Sequence, residues 1–478
     1  MCVRKIFRLL ISIVILLFNT CCFYSHEYPD GYGQTNLPDG SVYEGNFQNG
    51  VFNGQGTLKW KNGNEYIGEF KDGLVHGKGK FCGANGDSYE GHYTDGFSQG
   101  LGRFVSKVCI YEGEFKKNYM DGTGTMSLYD GRVYVGEFKN NCFDGSGTMV
   151  FHDGRIYVGE FKNDYFDGIG KYTGPDSFSY EGEFKEGKFN GKGKYIDQNS
   201  NQYEGEFENG HYHGHGVLIY NDGSRYDGSF VDGKMEGNGC LETKKYKYTG
   251  QFKNNKYEGL GALIIYNSGR YEGMFIAGVY DGPGCYTFTD GAQFKGIFKN
   301  GDPYDVFEII YSTHDKYIGQ MLGWRPGGKG KMTYKNGNVY EGDFVKRQWD
   351  GQGVFTYSDG RRYEGQVKGN RFNGHGKLTG PKYSYEGNFK DGSMDGKGII
   401  IYQNHEKYNK YEGQFKKDQF NGKGVLYFKN GDLYQGQFQN GNMYGYGKYI
   451  YALRGKNKGK FLEGYWQSGK FVGAKKVA

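Results

Sequence analysis

Proline is scarce in this sequence, with 7 residues in 478 beside 86 glycines. That ratio excludes a collagen-like chain and a Pro/Gly-rich disordered linker. Aliphatic side chains are also few, because the hydrophobic 36% is supplied largely by 46 Tyr and 36 Phe. A deep, multilayer core is therefore not expected. The body of the chain has no excess of positive charge either. The net charge of +6 comes from the ends, since the segment 454–478 has seven Lys and Arg against Glu463, and Arg4, Lys5 and Arg8 sit at the start. The remainder is slightly acidic and lacks the dense cationic stripe that nucleic acid requires. Also missing are a G-x-x-x-x-G-K-[ST] phosphate loop and a nucleophile with an assigned base. Catalysis and a bound cofactor are not expected.

What is present is a repeat. Aromatics make up 18% of the residues, more than a solvated, disordered chain carries. Aligning the tyrosine of each Y-x-G gives starts at Tyr43, Tyr66, Tyr89, Tyr111, Tyr134, Tyr157, Tyr180, Tyr203 and Tyr226, then at Tyr248, Tyr271, Phe294, Tyr317, Tyr340, Tyr363, Tyr385, Tyr411 and Tyr434. These eighteen units recur at intervals of 22 or 23 residues, with one of 26, and such a period marks a stacked repeat architecture. The third position is always glycine and the fifth is phenylalanine in fifteen units. Glycines at positions twelve and fourteen are paired in seventeen. In the first unit these residues are Tyr43, Gly45, Phe47, Gly54 and Gly56; in the eighth they are Tyr203, Gly205, Phe207, Gly214 and Gly216.

Strand side chains alternate with a period of two, so positions one, three and five share one face of a strand, and positions twelve, fourteen, sixteen and eighteen one face of a second. Asn49-Gly50, Asp72-Gly73 and Asn209-Gly210 supply the positive φ of tight hairpins. Asp153-Gly154, Asp222-Gly223 and Asp359-Gly360 return the chain to the next unit. The expected fold is all-β: an elongated, twisted, single-layer antiparallel sheet of about eighteen stacked β-hairpin repeats. The paired glycines are expected to form a flat ledge under the rings. Glu at positions two and four and Lys at six, as in Tyr180-Glu181-Gly182-Glu183-Phe184-Lys185, read as an exposed charge ladder.

The unit Tyr203–Gly223 closely resembles the MORN (membrane occupation and recognition nexus) repeat, and the resemblance covers residues 43–464. It implies a non-enzymatic scaffold that binds and positions protein partners at a membrane or cytoskeletal structure. It also admits two alternatives, a module that binds anionic phospholipid and an accessory subunit of a separate enzyme. The partners are unidentified proteins, and the open edges of such a sheet favour self-association into a homo-oligomer.

The organisation expected is a signal peptide or membrane anchor over 1–25, a partial leading repeat over 26–42, and repeats one to eleven over 43–293. Degenerate repeats twelve and thirteen follow over 294–339. Repeats fourteen to eighteen with a partial repeat occupy 340–464, and a basic tail occupies 465–478. The unit at Phe294 has Asp305 and Phe307 in place of the paired glycines, and Trp324-Arg325-Pro326 follows in the next. Trp324, Arg325 and Phe307 are candidate partner-binding residues, because Trp and Arg are enriched at hot spots. Lys456, Lys458, Lys460, Lys475 and Lys476 are candidates for an acidic or anionic lipid surface. His211, His213 and His215 alternate along one strand, but no Cys or carboxylate completes a metal site.

The N-terminus has a charged start, an apolar stretch over Leu9–Phe18 and small residues near Cys22, the layout of a secretory signal. It is too short to span a bilayer comfortably. If it is retained, Cys21 and Cys22 are acylation sites. The five later cysteines, at 82, 109, 142, 240 and 285, follow no repeat register and make no disulfide framework, which favours a reducing compartment. The expected localisation is membrane-associated or secretory, with a cytoplasmic or cytoskeletal location as the alternative.

Overall fold

The structure, a computed structural model, describes residues 29–452, 457 and 459–474. The segment 1–25, with Cys21 and Cys22, lies outside the described residues. So do Lys456, Lys458, Lys475 and Lys476. The described residues hold thirty-nine strands of an open antiparallel sheet and no helix, numbered β1 to β39 in chain order. The chain divides into two units, the first running to Lys244 and including Lys253–Asn255, the second comprising Lys245–Phe252 and the residues from Lys256 onward.

In the first unit, β2 (Val42–Gln48) and β3 (Val51–Lys59) show how the repeat folds. Asn49 and Gly50 have φ of 52° and 74°, the paired positive values of a hairpin turn matched to strand twist. Tyr43 faces Leu58, Gly45 faces Gly56 and Phe47 faces Phe52, so one face holds the rings and glycines. The register slips between Gly45 and Phe47. That bulge separates the roles of the paired glycines, which alternation alone had placed together on one ledge. Gly56 lies under the Tyr43 ring, where a Cβ would overlap it. Gly54 instead takes φ of 74° in the bulge, and its missing Cβ would point toward Asn46 on the opposite face.

The glycine floor explains how a single sheet buries large rings completely. Tyr43 is 0% exposed. It stacks on Phe52 at 3.7 Å and meets Phe47 and Phe70 edge-on at 5.1 Å, so neighbouring rings wall it in. Its hydroxyl donates to the Asn46 carbonyl at 2.9 Å. The same bond recurs from Tyr203 to Glu206 at 2.8 Å and from Tyr411 to Gln414 at 2.9 Å. The buried phenol thus has a hydrogen-bond partner.

In the second unit, β24 (Gln293–Lys299) and β25 (Asp302–Ile310) keep the hairpin although both paired glycines are gone. Phe307 faces Gly296, and its ring fills the space above that glycine. The ledge is thus retained and covered from the opposite strand. Phe294 has no hydroxyl to place, and its ring lies against Trp324 at 6.0 Å and 29°. At the far end, β38 (Phe461–Gln467) and β39 (Lys470–Gly473) form another antiparallel pair, with Trp466 opposite Phe471. This corrects the reading of the expected tail, 465–478, over its described part, residues 465–474. Trp466 is 6% exposed and donates to the Gly447 carbonyl, so the ring pattern continues to that point.

Candidate functional site

The rings and glycines occupy one face, so the side chains free to vary lie on the other, at positions two, four, eleven, thirteen, fifteen and seventeen. Two systems organise this open face. The first is the bulge. Its side-chain brace is the residue at position four, whose oxygen accepts the backbone N–H of position thirteen: Glu183 from Lys192 at 3.0 Å, Gln366 from His375 at 3.0 Å and Gln414 from Lys423 at 3.1 Å. At Glu114, bonds from the Thr123 hydroxyl and N–H hold the carboxyl below its ordinary range. The carboxylates at position four are therefore structural acceptors, which corrects their reading as part of a free charge ladder. Replacing Glu183 by Ala is expected to cost about 1 kcal/mol, the worth of one such bond. Glu183→Gln should be nearly neutral, because glutamine does the same work elsewhere in the array. Urea denaturation of both variants checks this, and equal losses would show that the brace bond is immaterial.

The second system is the row formed by positions two and fifteen. Lys171 pairs with Glu181 at 3.0 Å and Lys194 with Glu204 at 3.1 Å; in the second unit, Lys377 pairs with Glu386 at 3.4 Å. These side chains are more than half exposed, so each pair contributes only about 0–1 kcal/mol. This part of the ladder is solvated as expected. Shallow depressions open on the face, one lined by Lys377, Glu386, Lys397, Ile399 and Glu412 in the second unit and another by Leu101, Thr125 and Val135 in the first.

The structure places the named repeat residues Tyr43, Gly45, Phe47, Gly56, Tyr203, Gly205, Phe207 and Gly216 in the ring layer, and Gly54 and Gly214 in the bulges. Phe307 is 0% exposed, so it fills the ring layer and offers no surface to a partner. Trp324 is half-buried against Tyr286, Phe294 and Phe298, and its indole N–H donates to Asp302 at 3.1 Å. Arg325 is exposed beside it. Lys460 is exposed in the link between β37 (Asn442–Ile450) and β38, where its carbonyl accepts the Tyr451 N–H. The three histidines do not converge: His213 approaches Glu208 at 3.4 Å and His215 approaches Asp227 at 3.2 Å. Among the described residues, no group of three metal-ligating side chains forms. The cysteines at 82, 109 and 285 are free thiols, and burial pushes the Cys109 thiol up.

Position ten is a packing residue that the sequence pattern had not singled out. Phe52, Phe189 and Tyr212 stack on their tyrosines at 3.7–3.8 Å. Its signal was the aromatic that stands at this position in ten of the eighteen units, as Phe52 does just after Asn49-Gly50.

No curated protein matches the sequence. Among solved structures, the chain is similar to the TCP domain of SAS-4 (dCPAP) of Drosophila melanogaster, determined with a proline-rich motif of Ana2 (dSTIL). The identity is 11%, 43% of this chain and 96% of that one are covered, and the TM-score is 0.19. The G-box domain of the microcephaly protein CPAP gives 10% identity over 56% of this chain and 100% of that one, with a TM-score of 0.13. Virginiamycin B lyase from Staphylococcus aureus gives 11%, 71%, 95% and 0.10. Likenesses this slight carry no argument about function. The MORN repeat matches at seventeen places between residues 43 and 452, passing over 294–316, the stretch where Phe307 replaces a glycine. With that unit matched over most of its length, the chain belongs to the MORN repeat family.

Proposed function

We propose that the protein is a non-enzymatic platform that binds protein partners through its open face and positions them at a membrane or cytoskeletal structure. The observation that supports this is the division of labour between the faces. The ring face is nearly the same in every unit, whereas position thirteen of the open face changes from Leu101 to Thr123, Ser146, Ile169, Lys192 and His215 in successive units. A repeat that fixes one face and varies the other presents a different surface along its length, which suits recognition of several partner segments.

The test is quantitative mass spectrometry of proteins co-purified with the full chain and with a variant carrying Lys192→Glu, Lys194→Glu, Lys377→Glu and Lys397→Glu. The wild type should retain defined protein partners, and the variant should lose some while keeping its circular dichroism. No enriched protein, or an identical set from both chains, would overturn the platform reading. Cosedimentation with phosphatidylserine vesicles in place of proteins would replace it with the lipid alternative.

A further inference from the structure

The charge ladder of the first unit has shorter gaps at Thr57–Ile67 and at Val217, and one long gap. Between Glu112 on β8 (Cys109–Lys116) and Lys171 on β13 (Tyr165–Thr173), the row at positions two and fifteen reads Thr125, Val135, Thr148, Val158. These four are direct cross-strand neighbours on β9 (Tyr119–Leu128), β10 (Val133–Lys139), β11 (Cys142–Val150) and β12 (Ile156–Lys162). Val135 and Val158 are each 51% exposed, and Leu101 and Ile169 stand on the same face, 68% and 58% exposed. The result is an apolar strip on a face that is charged on both sides of it.

In the row next to the strip the charge has one sign, and Lys116, Lys139 and Lys162 at position six stand beyond it. In three consecutive hairpins position four is Glu and position eleven is Asp: Glu114 and Asp121, Glu137 and Asp144, Glu160 and Asp167. The bulge register brings each pair to the same place across its hairpin, as Glu183 opposite Asn190 shows for the next unit. The carboxylates accept backbone N–H groups, Glu137 from Ser146 at 3.2 Å and Asp144 from Asn163 at 3.3 Å. None of the six is ion-paired among the described residues, whereas Arg132 and Arg155 are drawn off to Asp130 and Asp153 at the turns. Over residues 111–187, fourteen Asp and Glu stand against eight Lys and Arg, in a chain whose overall balance is positive.

From this strip and its acidic flank, we propose that the open face from β8 to β13 is a docking groove for a basic amphipathic helix of a protein partner. This inference rests on the platform reading and assigns one of its sites. Charge complementarity selects Lys and Arg along one side of the occupant and disfavours an anionic membrane. The backbone selects a helix. Strand N–H and C=O groups within a sheet bond sideways to their neighbours, so its face offers none to an extended peptide, and the occupant must satisfy its own. The spacing agrees: Val135 and Val158 are two strands apart, about 10 Å, which matches the rise between apolar residues seven apart in a helix, also about 10 Å.

The test uses the full chain and a fluorescein-labelled 21-residue helical peptide with leucines in a heptad pattern flanked by Lys and Arg, followed by anisotropy near physiological salt. A twin peptide with Glu in place of Lys and Arg is the control. The basic peptide should bind and the twin should not. Glu137→Gln with Glu160→Gln should weaken binding at least tenfold, and so should Val135→Thr with Val158→Thr, whereas Ile399→Thr in the second unit should leave it unchanged. These substitutions keep the brace acceptors and the β-branched character of the strands, so the fold survives them. Equal binding of both peptides, or binding that ignores the valines, would overturn the proposal. Cellular partners that survive these site variants but are lost on Lys377→Glu with Lys397→Glu would also refute this groove, and would leave the platform reading standing.

Discussion

Replacing Gly216 by valine is expected to open the hairpin of β16 (Gln202–Glu208) and β17 (His211–Ile219) and to loosen the hairpins on either side. The cause is local and steric. A Cβ on Gly216 would overlap the Tyr203 ring, and the ring has nowhere to go. Tyr212 is stacked on it at 3.8 Å, Phe207 and Phe230 close its edges at 5.0 and 5.3 Å, and its hydroxyl is held by the Glu206 carbonyl at 2.8 Å. The cost should be about 3 kcal/mol, the upper end of what overpacking a closed core usually brings. Because each unit is stabilised by its neighbours, the loss should spread to them. Hydrogen exchange should therefore show faster exchange first across 202–219 and then in the flanking strands. The informative control is Gly210→Asn. Gly210 has φ of 89° and nothing within 4 Å of its missing Cβ. Asparagine tolerates that backbone, so the change should cost less than about 1 kcal/mol. Equal protection in G216V and the wild type would mean that the ring does not need the glycine floor.

Alkali should unfold the protein cooperatively. Burial, the largest cause in each case, pushes the phenols of Tyr43, Tyr248, Tyr385 and Tyr434 up to about 12. Tyr157 and Tyr203 are raised further, with Glu160 and Glu206 respectively adding to the effect of burial. An unfolded tyrosine loses its proton near pH 10. The folded chain keeps protons that the unfolded chain would release, so this contribution to stability is complete below about pH 10 and is lost as the pH rises toward the folded values. With a raised tyrosine in unit after unit, the losses coincide. Tyrosinate absorbance and loss of the β circular dichroism should therefore appear together above about pH 10. Ring-layer phenols that titrate gradually there while the sheet persists would contradict the closed ring layer.

Much of the fold was legible in the sequence because its determinants are local. Asn-Gly and Asp-Gly dipeptides fix the hairpins, and the alternation of Tyr43, Gly45 and Phe47 fixes which face is apolar. The bulge was not legible. Gly54 and Gly56 look equivalent at a spacing of two, yet three residues, Asn53 to Gln55, stand opposite the single residue Asn46, so one glycine turns out and the other stays in. Phe307 was misread for a related reason. On sequence alone an aromatic in a glycine position reads as a surface for a partner, whereas across the strand its ring covers Gly296, the place that the position-one ring takes in the other units.

The open face divides in the same way. Its residue types are fixed by the sequence, and so is the acidic excess over 111–187. That Val135 and Val158 join through Thr125 and Thr148 into one strip is a matter of strand register. That Glu137 is tied to a backbone amide while Glu181 is tied to a lysine is also decided by register. The sequence by itself determined the period, the hairpins, the ring face and the family. The tertiary structure decided which glycine carries a ring, which carboxylate braces a bulge and which side chains meet across strands. The physical reason is that turn and alternation preferences act within a few residues, whereas those partnerships join residues about nine to twenty positions apart through a register that one inserted residue shifts.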